Sequence, residues 1–122
     1  MLTATKNSRQ IIYYGTIASG SSISSSQDIS MALGGTLNAL IETGSSVDYY
    51  NVSYILVEVA NTSTGSWRKF SKVENENKEN TKCEFVFEIP ASVMHLQVTI
   101  DNNDNSNSIT GEATLQELTS IG

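Results

Sequence analysis

Apolar residues in this chain recur mostly at every second position, the spacing of strands with one covered face. Cys83, Phe85, Phe87 and Ile89 share one side of a segment whose other side carries Lys82, Glu84 and Glu88. Pro90 ends that segment, because it has no N–H to give a neighbouring strand. Met94, Leu96, Val98 and Ile100 repeat the pattern against His95, Gln97 and Thr99. Ile109, Gly111, Ala113 and Leu115 form a weaker inward row against Thr110, Glu112, Thr114 and Gln116. Residues 52–60 (VSYILVEVA) are nearly all apolar and rich in β-branched and aromatic types, which predicts a central strand covered on both faces. The stretch NTSTGSW follows, with Gly65 suited to a hairpin turn. Residues 67–73 then return as a strand near an edge, given their three cations.

Nearer the N-terminus, residues 11–17 (IIYYGTI) read as a strand, 19–26 (SGSSISSS) as a polar loop, and 28–33 as another strand. One segment is ambiguous. Leu33, Leu37, Leu40 and Ile41 have helical spacing, while Leu37, Ala39 and Ile41 have strand spacing. Glycines bound it to about two turns, and so short a helix is marginal on its own, so the strand is preferred. The sum is seven or eight short strands separated by turns. This predicts an all-β, single-domain antiparallel sandwich of jelly-roll type over residues 11–122, preceded by an N-terminal arm at 1–10. A single sheet would leave too many apolar faces in water.

Composition sharpens this. Ser, Thr and Asn number 18, 12 and 11, about a third of the 122 residues, and charged residues make up only 16%. Small hydrogen-bonding side chains favour turns and β-surfaces over helix interiors. The net charge of −6 argues against direct contact with nucleic acid, which calls for a basic face. The one basic cluster, Arg68, Lys69 and Lys72, reads as decoration of a solvated strand. Cys83 is the only cysteine, so no intrachain disulfide forms, and its setting among apolar residues reads as a core position. No segment has the length and apolarity of a signal peptide or a membrane span, so synthesis in the cytoplasm and no membrane partner are expected.

The stretch resembling chemistry is DNNDNSNSITGE, residues 101–112. Asp101, Asn103, Asn105 and Glu112 place oxygens at positions 1, 3, 5 and 12 of a calcium-loop spacing. The sixth position is Ser106, where the helix-flanked form of such a loop takes glycine, and the flanks here read as strands. Asn and Asp also cap their own turns. A hairpin loop is therefore preferred to a weak calcium site, and no cofactor is expected. His95 is the sole histidine and lies on a polar face, poor material for zinc. Glu84 and Glu88 stand about 13 Å apart on a strand, too far for a glycosidase pair. Glu58 reads as a salt-bridged surface carboxylate. No nucleophile elbow or phosphate loop occurs, and Gly34 and Gly35 are only a pair. No catalytic residues are expected, and the chain is not expected to be an enzyme.

The tyrosines fall at Tyr13, Tyr14, Tyr49, Tyr50 and Tyr54. Neighbours on a strand face opposite ways, so each Tyr-Tyr pair sends one ring outward, where tyrosine suits an interface. Tyr14, Tyr50 and Trp67, with Ser21, Ser22 and Ser24 of the serine-rich loop, are the expected contact residues.

Three stretches carry a family resemblance: GTIASGSSISSSQDI at 15–29, VEVANTSTGSW at 57–67, and IPASVMHLQVTIDNN at 89–103 with SITGEATLQEL at 108–118. Together they resemble small tailed-bacteriophage virion proteins over residues 13–118. The acidic insertion ENENKENT at 74–81 departs from that pattern, and hairpins ending in Gly-x-Trp also occur in discoidin-like carbohydrate-binding domains. The resemblance implies a non-enzymatic β-sandwich on the virion, a capsid decoration or head-fibre-associated module. Its expected partners are the major capsid protein or other virion proteins and further copies of itself. The alternative is a carbohydrate-binding module that stacks sugars on Trp67 and an exposed tyrosine, with Asn102, Asn103 and Asp104 holding hydroxyls.

Overall fold

Period-two alternation is realised as strands throughout the computed structural model, which describes residues 4–42, 53–61, 66–74, 82–103 and 108–121. Its strands are β1 (Ala4–Lys6), β2 (Gln10–Ile17), β3 (Ser22–Asp28), β4 (Gly35–Glu42), β5 (Ser53–Ala60), β6 (Arg68–Glu74), β7 (Lys82–Ile89), β8 (His95–Asn102) and β9 (Ile109–Ile121). In the first sheet β1 and β2 lie in succession along one side of β9, with β4 and then β7 on the other. The second sheet runs β3-β8-β5-β6, and every pairing is antiparallel. From β2 onward the chain alternates between sheets except at the β5–β6 hairpin. This is the strand order of a jelly roll.

The two inner faces meet in one core. Leu37, Ala39 and Ile41 of β4, Ile109, Ala113 and Leu115 of β9, and Ile17 of β2 come from the first sheet. Ile55 and Val57 of β5 and Leu96, Val98 and Ile100 of β8 oppose them. Burial of each of the Leu, Ile and Val side chains contributes about 1.5–3 kcal/mol. Gly111 completes the inward row of β9, and a side chain there would have to displace the ends of two isoleucines. A Cβ there would come within 2.9 Å of the Ile17 Cδ1 and 3.0 Å of the Ile100 Cδ1.

Several expectations are corrected. Residues 22–28 form a strand, not a loop. Its inward row is Ile23, Ser25 and Gln27, too polar to stand out in the sequence. The row is tolerated because the Ser25 hydroxyl donates to the Ile12 carbonyl (2.9 Å) and the Gln27 amide donates to Ser25 Oγ (3.2 Å). Residues 29–33, where the sequence predicts a strand over 28–33, form a turn that follows β3. The Ser30 N–H donates to Asp28 Oδ1 (2.9 Å) and the Ala32 N–H to the Ile29 carbonyl (3.0 Å). Met94 is exposed and precedes β8, and Val93 takes the core place instead. β5 is central, as expected, but its second face, with Tyr54, Leu56 and Glu58, is only half-buried. Part of the N-terminal arm pairs with β9 as β1.

Gly35 opens β4 and Gly34 precedes it. Gly34 has a φ of 76°, and a Cβ on it would overlap the Ile89 carbonyl oxygen. A Gly34→Ala variant therefore loses more than about 1 kcal/mol of stability, measured as a lower denaturant midpoint with an unchanged m-value.

Candidate functional site

A β-bulge in β2 shapes the outer face of the first sheet. Ile11 pairs with Thr114 and Tyr13 with Ala113, so Ile12 is the extra residue. Residues three apart on an unbroken strand face opposite ways. Here Ile12 and Tyr13 both pack toward the core, and Ile11 and Tyr14 both point outward, 65% and 68% exposed. Outward Tyr14 and inward Tyr13 match the expected division of that pair. In register across the sheet run Ile11, Thr114, Asn38 and Val86, beside a second row of Tyr14, Glu112, Leu40 and Glu84. Val86 is 57% exposed, whereas Thr114 is covered by its neighbours to 8%. The Asn38 amide donates to Glu84 Oε1 (2.9 Å). Its Oδ1 is buried and has no hydrogen-bond partner among the described residues. Thr36 Oγ1 donates to Glu88 (3.2 Å), so two glutamates line the β7 side of this face.

The outer face of the second sheet is polar and tied within itself. Ser24 Oγ and Thr99 Oγ1 are 2.7 Å apart. Ser26 Oγ donates to Gln97 Oε1 (2.8 Å), and the Gln97 amide donates to Glu58 Oε1 (3.3 Å). Glu58 thus accepts from an amide and lies opposite Lys69 in the β5–β6 register. The Tyr54 hydroxyl donates to Asp101 Oδ2 (3.1 Å), and Lys72 Nζ lies 4.3 Å from the Tyr54 ring centroid. Partial burial and the Asp101 carboxylate push the Tyr54 phenol up from its ordinary value. Hydrogen bonds from Ser30, helped by the charge of His95, hold Asp28 below the usual carboxylate range. Burial pushes the Cys83 thiol up; it is half-buried on the edge strand β7 rather than fully in the core.

The expected contact residues do not gather in one place. Tyr14 is on the first sheet, and exposed Ser22 and Ser24 lie on β3 of the second. Exposed Ser21 precedes β3, and Trp67 is half-buried just before β6. Tyr50 lies outside the described residues. Sequence reasoning missed Ile11, Asn38 and Val86. The one available signal was Val86 alternating outward in an otherwise charged row.

Residues 101–112 are not a hairpin, because β8 and β9 belong to opposite sheets. Asp101 and Glu112 face outward on those two sheets and are not brought together. Asn103 is exposed, and Asp104 and Asn105 lie outside the described residues. Asn102 is fully buried. Its amide donates to the Ile17 (3.1 Å) and Ala18 (3.3 Å) carbonyls, and its N–H donates to the Ser21 carbonyl (2.9 Å). It clamps the β2–β3 connection and so cannot hold a sugar, as the carbohydrate alternative required.

No family model and no curated protein matches the chain. Solved structures do. The Yersinia pseudotuberculosis-derived mitogen aligns at a TM-score of 0.59 and 14% identity, covering 94% of this chain and 86% of that one. The structure of infectious bursal disease virus, Gx strain, aligns at 0.56 and 12% identity, over 94% of this chain and 32% of the viral chain. A carbohydrate-binding module, CBM4, aligns at 0.51 and 8% identity, over 90% and 77%. At these identities the likeness shows the β-sandwich fold alone, one used by mitogens, viruses and carbohydrate-binding modules.

Asn102→Ala strands the carbonyls it serves and costs about 1–3 kcal/mol in chemical denaturation. Asp28 has a depressed folded pKa, so its stabilisation is present above the ordinary carboxylate range and is lost as pH falls through the folded value. Asp28→Asn removes that part of the acid dependence, so its stability declines less than the wild type's between neutral pH and pH about 3.

Proposed function

We propose that the chain is a non-enzymatic structural module of a virion, docking on a capsid or other virion protein through the outer face of its first sheet. The observation that carries this reading is the exposure of Ile11, Tyr14 and Val86, with half-buried Leu40, on one outer sheet face. Exposed apolar side chains on one sheet face suit a protein contact. Outward Glu42, Glu84, Glu88 and Glu112 are interspersed with these side chains, which favours a partner that presents basic groups among its own apolar ones. The fold shared with a virus structure and the resemblance to phage virion proteins support the same reading. On a symmetric shell many such contacts act together, so each can be weak.

The polar lattice on the second sheet supports a different reading, carbohydrate binding, with Gln97 and Glu58 holding hydroxyls beside Tyr54. One experiment separates the two. The protein is sedimented with DNA-free capsids and, separately, applied to a glycan array. Under the docking reading it co-sediments, Tyr14→Ser and Val86→Ser each weaken binding at least about tenfold, and Ser92→Ala leaves it unchanged. Saturable glycan binding that is lost in Gln97→Ala, with no capsid association, would replace docking with carbohydrate recognition.

A further inference from the structure

The four sheet edges differ in how they are protected against further pairing. The β1–β2 edge is broken by two register shifts and by the gap between its strands. β6 carries Arg68, Lys69 and Lys72 and a bulge opposite Val57 and Glu58. β7 carries Lys82, Glu84 and Glu88 and runs into Pro90. Charges, bulges and proline are the devices that blunt an edge. β3 has none of them before its last residue, Asp28, and it pairs with β8 in unbroken register over all seven residues. It ends the second sheet, with no strand beyond it among the described residues.

We infer that β3 is a self-association edge, which a second copy of this chain extends by antiparallel pairing about a two-fold axis at Ser25. The sequence SISSSQD is compatible with its own reversal. Ser24 faces Ser26 of the second copy, Ile23 faces Gln27, and Asp28 faces Ser22, so no like charges oppose one another. The outward hydroxyls of Ser22, Ser24 and Ser26 are small enough to let two backbones approach. The two second sheets then join into one eight-stranded sheet, an isologous dimer. The net charge of −6 on each copy opposes association elsewhere on the surface, whereas this edge is neutral from Ser22 to Gln27. The inference does not rest on the docking proposed for the first sheet, whose outer face stays open in such a dimer.

Sedimentation equilibrium on the full chain tests it. The wild type shifts from monomer to dimer as concentration rises, and amide exchange in β3 slows over the same range. Ser24→Lys places two cations diagonally across the axis and lowers the association constant at least about tenfold, while Thr16→Lys, on the first sheet, does not. Mixing Ser24→Lys with Ser26→Glu restores dimer as the heterodimer, in which the new charges face each other. A wild type that stays monomeric with concentration-independent β3 exchange overturns the inference. So does a dimer indifferent to Ser24→Lys. Neither result bears on capsid binding, which reads the other sheet.

Discussion

Two rows of side chains, one from each sheet, bury each other, and the rest of the molecule depends on keeping them in register. Pairing is so strict because the side-chain period is two: a slip by one residue would turn Leu37, Ala39 and Ile41 out and Asn38 and Leu40 in. β9 bears most of this constraint, because it pairs with β1, β2 and β4 along its length. Two of its inward residues, Gly111 and Ala113, are small. Gly111 leaves the space that the ends of Ile17 of the first sheet and Ile100 of the second fill.

Departures from regularity sit where the surface acquires character. The Ile12 bulge breaks alternation once and thereby puts Ile11 and Tyr14 on the same side. A regular strand would have buried one of them. The extra residue in β6 is Phe70, part-exposed beside the cations of that edge. At the far corner Asn102 closes the molecule with hydrogen bonds to the β2–β3 connection, tying the end of a second-sheet strand to the end of a first-sheet one. The Asn102 amide buried there is satisfied by backbone carbonyls, which is the condition for placing an amide in a core.

The surfaces that result are segregated by chemistry. Apolar side chains interspersed with glutamates occupy one outer face, and a hydroxyl and carboxamide lattice occupies the other. The regular, uncharged edge lies beside the second. In the proposed arrangement these are separate functions of one sandwich: the first sheet meets a foreign protein while β3 meets its own kind. A module built this way would bridge neighbouring positions on a particle without needing a deep pocket.

The sequence by itself determined the β-sandwich, because period-two alternation leaves each strand one face to hide and two layers are the simplest way to hide them. It also determined most inward residues, from Phe87 and Ile89 to Leu96, Val98 and Ile100, and the outward turn of Tyr14. Only the tertiary structure decided that the serine-rich segment is a strand, since its polar inward row is satisfied by the Ile12 carbonyl, a partner 13 residues away. Only it decided that Ile11 joins Tyr14, since a bulge is a property of pairing and not of one strand. The candidate ion loop was undone the same way: Asp101 and Glu112 are near in sequence, but the chain crosses between sheets there and sends them to opposite faces.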